Sequence, residues 1–186
     1  MVNLSQFKVS PLKGQSFGNL ETVSIKEIAF VESCDLRVEP NSPVAKKVEN
    51  LLALNLPQLV GGSAKGKVTA LTLGPDWWLL IEANAALVEE IRQSTAGEFI
   101  SLVDVSAQRT CLEVSGEFAK VVLQHAWEQD LDEVAFGINA CSQGLMARCP
   151  TIIHRTDEKT YRLYVRSSFA EHLYKFLVDA ATEYVK

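Results

Sequence analysis

The sequence predicts an α+β fold of duplicated strand–helix units, with mixed or antiparallel sheets and helices packed on their faces. Three observations carry this. Short apolar runs with β-branched and aromatic residues alternate with amphipathic stretches of helical period. Strands, a helix, more strands and a second helix follow one another twice along the chain. Two pairs of segments resemble each other in order: LRVEPNSPVAKKV with CLEVSGEFAKVVL, and WWLLIEANAALVEEI with YRLYVRSSFAEHLYKFL.

Taken in chain order, residues 1–22 mix Gly, Pro, Ser and Asn with few periodic apolar positions and read as an arm outside the core. The domain proper is expected over residues 23–186, as one α+β unit with two pseudo-repeated halves. VSIKEIAFVE and DLRVE read as strands. Ser42 before Pro43 then caps a helix that carries Val44, Val48, Leu51 and Leu52 on one face. KVTALTL and WWLLIE are strands joined through Gly74-Pro75-Asp76, and a short helix from Asn84 turns Leu87, Val88 and Ile91 inward. EFISLVDV and RTCLEV follow as strands, and Ser115-Gly116 opens the helix EFAKVVLQHA. GLMARC, TIIHR and YRLYVR are the last strands. A final helix is expected to begin with a Ser168–Glu171 capping box and to bury Phe169, Leu173, Phe176, Leu177, Ala180 and Tyr184.

With 186 residues, of which 47% are hydrophobic and 22% charged, the chain has the composition of a globular domain able to build a sizeable core. A net charge of −5 with interspersed signs offers no basic stripe for a phosphate backbone, so nucleic acid is excluded as a partner. No apolar run has the length of a signal peptide or a bilayer span, and the expected location is cytoplasmic, away from the membrane. Cys34, Cys111, Cys141 and Cys149 are widely separated and form no C-x-x-C pair, which fits buried reduced thiols better than a metal or dithiol site.

The stretch GGSAKGKV (61–68) resembles a phosphate-binding loop until Val68 takes the place of the Ser or Thr that holds magnesium. The segment also lies after a helix and before a strand, the reverse of the required order. Lys65 and Lys67 are therefore read as solvated loop charges. The three histidines have no partner at metal-ligand spacing, and His154 is read as a hydrogen-bonded or solvent-facing imidazole. No nucleophile elbow and no dinucleotide fingerprint is present. Asp104, Ser106 and Arg109, in DVSAQRT, form the most polar cluster between two apolar strands. They read either as a ligand-contacting group or as a turn fixed by an Asp-to-backbone bond or an Asp104–Arg109 pair. Trp77 and Trp78 point to opposite faces of one strand, so both faces are apolar. One face meets the chain's own helices, and the other meets a second layer of the chain or a partner protein.

The motifs LGPDWWLL, DVSAQRT, LEVSG, DL (130–131), ACSQ, TIIHR and YRLYVRSSFAEHLYKFLVDAATEY, in that order and spacing, resemble the gamma subunit family of heterotetrameric sarcosine oxidase over about three quarters of the chain. The resemblance implies a fold related to the folate-binding domain of the glycine-cleavage aminomethyltransferases. It implies a place in a complex that oxidatively demethylates sarcosine to glycine with oxygen and tetrahydrofolate. It further implies alpha, beta and delta subunits as partners, and FAD, FMN, NAD and tetrahydrofolate bound in those partners, with no cofactor and no catalytic residue in this chain. Trp77 stands where that family tends to have an acidic residue and Trp127 where it has a small Cys, which marks both as candidate partner-interface positions. The alternative expectation is a stand-alone folate-binding or one-carbon transfer protein that uses Asp104 and Arg109; a homodimer through the Trp77 face fits either.

Overall fold

The computed structural model describes residues 8–185. Its strands are β1 (Ser16–Gly18), β2 (Ser24–Ile28), β3 (Ser33–Val38), β4 (Ser63–Lys65), β5 (Thr69–Gly74), β6 (Trp77–Ile81), β7 (Ile100–Asp104), β8 (Arg109–Ser115), β9 (Cys141–Met146), β10 (Cys149–Asp157) and β11 (Thr160–Arg166). Its helices are α1 (Pro43–Leu52), α2 (Ala85–Ser94), α3 (Ala119–Gln124) and α4 (Ala170–Ala181). The strands form two sheets, in the orders β1-β2-β8-β11-β10-β9 and β4-β5-β6-β3-β7. Every pairing between these strands is antiparallel.

The two sheets lie face to face, and the period-2 alternation of their strands decides what each layer holds. Leu71, Leu79 and Ile81 of one sheet meet Cys111, Ile152 and Tyr164 of the other in the central layer. On the outer face of the five-stranded sheet, Leu36, Trp78 and Leu80 pack against Val48 and Leu52 of α1 and Val88 and Ile91 of α2. On the outer face of the six-stranded sheet, Ile25, Leu112, Ile153 and Leu163 pack against α3 and α4. Both faces of each sheet are thereby covered, which is why the central strands read as nearly continuous apolar runs.

The order β4-β5-β6-β3-β7 matches β9-β10-β11-β8-β2 element by element. One strand near the start of each half crosses over: β2 precedes β3 in sequence yet pairs with β8, and β7 precedes β8 yet pairs with β3.

Several expectations change. Residues 8–22 are not an arm outside the core, and residues 1–7 lie outside the described residues. Leu12 is buried in the layer under α3 and α4, and β1 extends the sheet at β2. The Glu27 carboxylate accepts from Ser10 Oγ (2.7 Å), Gly14 N (2.8 Å), Leu12 N (3.3 Å) and Thr110 Oγ1 (2.8 Å). Burial alone would raise the Glu27 pKa, but these bonds outweigh it and hold the carboxyl below its usual range.

GLMARC is not one strand. It folds as the β9–β10 hairpin, with Ala147 and Arg148 both at positive φ (48° and 66°), the geometry of a type I′ turn made without Gly or Asn. The capping box of α4 does not form: a 3-10 turn (Ser167–Phe169) precedes the helix, and Glu171 pairs with Lys175. The buried stripe of α4 is Ala170, Leu173, Tyr174, Leu177 and Ala181, so Phe169 and Phe176 are turned partly to solvent.

Candidate functional site

Asp104, Ser106 and Arg109 do come together. They line one groove of about 530 Å³ beside the start of β8, with Lys8, Phe30 and Thr110 among the other walls. Asp104 Oδ1 accepts from Ser106 N (2.9 Å) and Ser106 Oγ (2.6 Å), closing an Asx turn. These bonds from Ser106 hold the Asp104 carboxyl below its usual pKa. Ser106 Oγ is also placed 2.9 Å from the Ser33 N–H and 3.3 Å from the Ser33 carbonyl, so the turn ties β7 to the start of β3. No ion pair joins Asp104 to Arg109 among the described residues. Arg109 instead points inward: its Nη1 is buried without a hydrogen-bond partner. Burial lowers its pKa, an effect that Asp35 opposes and Arg166 reinforces. The hydroxyls of the groove are engaged within the chain, Ser10 and Thr110 by Glu27, Ser106 by Asp104 and Ser167 by Ala107 O, as is its turn aspartate.

The tryptophans divide by layer. Trp78 is fully buried under α1 and α2, its Nε1 donating to Pro57 O at 2.9 Å. Trp77 lies on the central-layer face, with the Arg37 guanidinium 4.7 Å from its ring centroid and its own Nε1 buried without a partner. The second layer that meets this face is the other sheet of the same chain. Trp127 is only 5% exposed and forms an isolated bridge to Met146. Its ring occupies the space that a side chain at Gly144 would need, 2.8 Å from an ideal Cβ there. A ring held that way is part of the core of the six-stranded sheet.

His154 faces the central layer, where its Nε2 lies 3.1 Å from Ser63 Oγ on the opposite sheet. Burial, with Arg162 nearby, pushes its pKa down to about 4, so it is neutral at ordinary pH. The neighbouring Arg155 is buried on the other face, donating to Phe136 O (2.9 Å) and Glu158 O (2.7 Å), and it fixes the loop before β9. All four cysteines are buried and unbridged, and burial raises Cys34 and Cys141 to about 11 and Cys111 to about 12. Thiols so placed stay protonated and are poor nucleophiles. Among the described residues, no three His, Cys, Asp or Glu side chains converge as a metal-binding group.

The glycine loop has a structural task. Gly66 lies against the end of α1, where Lys67 N donates to Leu52 O at 2.9 Å, and Gly61 O accepts from Cys141 N at 2.7 Å, joining the two sheets. Lys65 and Lys67 are exposed, as expected of solvated charges. Sequence reading missed what stands beside this loop: Leu59 (80% exposed), Val60 and Ile138 line one uncovered apolar groove. The signal was present, since Leu59-Val60 and Val134 through Ile138 are apolar residues inside turn-like stretches, but nothing in a linear sequence says that the two loops meet.

A family model described as "Sarcosine oxidase, gamma subunit family" matches residues 13–183. Two sarcosine oxidase gamma subunits are similar along most of their length. The one from Corynebacterium sp. (strain P-1) is 35% identical, covering 88% of this chain and 82% of that protein, and the one from Arthrobacter sp. is 36% identical, covering 87% and 81%. Among solved structures, a chain of the heterotetrameric sarcosine oxidase from Corynebacterium sp. U-96, in complex with pyrrole 2-carboxylate, superposes with a TM-score of 0.89 at 30% identity, over 97% of this chain and 98% of that one. The glycine cleavage system aminomethyltransferase T from Bartonella henselae shares the fold at a TM-score of 0.69 and 13% identity, covering 92% of this chain and 57% of that one. No helix among the described residues is long and apolar enough to cross a membrane.

Proposed function

The chain belongs to the sarcosine oxidase gamma subunit family, and from that premise we propose that it is a noncatalytic, gamma-type subunit of a heterotetrameric sarcosine oxidase. The complex oxidatively demethylates sarcosine to glycine with oxygen and tetrahydrofolate. This chain contributes by packing against the larger, alpha subunit, while FAD, FMN, NAD and tetrahydrofolate are held by the partners. The observation behind this reading is the end-to-end superposition, at a TM-score of 0.89, on a chain of a heterotetrameric sarcosine oxidase. The chemistry of the side chains agrees: the cysteines are protonated, the buried histidine is neutral, and the best-placed carboxylate is held in a turn.

The test is co-expression with the alpha, beta and delta subunits followed by size exclusion. The expected result is one peak containing all four chains, with flavin absorbance in the complex and none in the isolated chain. Elution of this chain by itself, under conditions where the other three assemble, removes the proposal.

A second reading has one observation behind it, the groove of about 530 Å³ shared by Asp104, Ser106 and Arg109. It assigns the groove to folate in a stand-alone one-carbon protein. Calorimetry of the isolated chain with tetrahydrofolate decides: no heat at ligand concentrations well above micromolar excludes it.

A further inference from the structure

We infer that this subunit docks on its larger partner through the apolar surface made by the loop before β4 and the loop before β9. The inference rests on the subunit reading above and names the face that reading leaves open. Leu59 and Val60 come from the first loop and Ile138 from the second, and each of the three is at least half exposed. Leu59, Val60 and Ile138 line one open groove of about 660 Å³ whose floor includes Phe136. Aliphatic side chains left uncovered together, from two separate loops, mark a surface that is buried in an assembly.

The groove is held in shape before any partner arrives. Gly61 O accepts from Cys141 N (2.7 Å), and Ser63 Oγ donates to Asn139 O (2.7 Å) while contacting His154. Docking on fixed loops costs little ordering entropy.

Charge selects the occupant. The segment Glu128–Asn139 carries four carboxylates and no Lys or Arg. Asp132 is paired with Lys120 and Glu133 with Arg155, whereas Glu128 and Asp130 have no cation partner among the described residues. No Lys or Arg lines the groove. A second copy of this chain would bring the same negative rim against itself, which disfavours a symmetric dimer here. The complementary surface is a protein face with an apolar centre and Lys or Arg at its rim, carried by the larger subunit of the complex.

The experiment measures binding of this chain to the co-expressed remainder of the complex, with thermal melts of each isolated variant to verify folding. The variants are Leu59→Asp/Ile138→Asp, Glu128→Lys/Asp130→Lys, and Phe99→Asp as a comparison on the opposite edge of the five-stranded sheet, where Phe99 is 96% exposed. Expected is a loss of affinity of roughly tenfold or more for both double variants, with Phe99→Asp within about twofold of the unchanged chain. The lysine pair should also lower the salt dependence of the association rate. Because the charged pair is at the surface, it tests the inference even if the aspartate pair unfolds. Unchanged binding by both double variants overturns the inference and leaves the subunit reading standing. So does a loss confined to Phe99→Asp, which would place the interface on β7, or a homodimer that the double variants dissolve. If the unchanged chain does not bind the remaining subunits at all, the subunit reading itself falls, and this inference with it.

Discussion

His154 shows how a single side chain ties the sheets together and makes stability depend on pH. Its imidazole is buried opposite Cys141 on β9 and Arg162 on β11, and meets Ser63 Oγ across the layer. With a folded pKa of about 4 against an unfolded value near 6.5, the unfolded chain binds the proton first. This contribution to stability is therefore complete above about pH 6.5 and declines as pH falls toward 4. Its total is about 3 kcal/mol, from about 1.4 kcal/mol per pKa unit. A urea titration series from pH 7 to 4 should show the unchanged chain losing about that much more stability than His154→Gln, with the carboxylates common to both cancelling. Parallel pH profiles for the two would refute the buried neutral imidazole. The sequence placed His154 at a strand end beside Arg155 but gave no sign of which sheet face each would take. Strand alternation sends them to opposite layers once register is fixed.

At the scale of elements, local chemistry explains the helices that were read correctly. Ser42 Oγ accepts from Ala45 N (3.0 Å) and Asn84 Oδ1 from Leu87 N (2.9 Å), so α1 and α2 begin where their caps lie. Where capping is absent, sequence reading drifted. Neither α3 nor α4 has a side-chain cap, and α4 starts after a 3-10 turn that rotates its buried stripe away from Phe169 and Phe176. Helix α1 ends on Ala53 in the left-handed region (φ 53°), a position usually taken by glycine; Ala53 N and Leu54 N meet Asn50 O and Glu49 O, and the glycine loop meets Leu52 O through Lys67 N. An ideal Cβ at Gly66 would lie 2.5 Å from Leu52 O and 2.6 Å from Ala53 O, both backbone atoms with little freedom to retreat. Gly66→Ala should therefore lower the unfolding free energy by about 2 kcal/mol, read as a shift in denaturant midpoint. A substitution without effect would show that the loop relaxes away from the helix.

The whole molecule is a four-layer stack whose halves exchange one strand each. The first half supplies β2 to the sheet of the second, and the second supplies β7 to the sheet of the first. Neither half can complete a sheet or cover its central-layer face by itself. Fragments 1–97 and 98–186 expressed separately should show no cooperative thermal transition by circular dichroism, and co-expression should restore one. A cooperative melt from either fragment would mean that the exchange is dispensable. The same topology explains the tryptophan strand, because the second face of Trp77 is met by the sheet that the other half builds. By itself, the sequence determined the α+β class, most strands, the capped helices and the family, because those follow from periodicity, local hydrogen bonding and ordered motifs along the chain. Only the tertiary structure decided that residues 8–22 join the core, that Trp127 is internal, and that Leu59, Val60 and Ile138 share one surface. The physical reason is that burial and patch formation depend on contacts between residues far apart in sequence. Such contacts are set by which strands pair, and apolar patterning constrains that choice without specifying it.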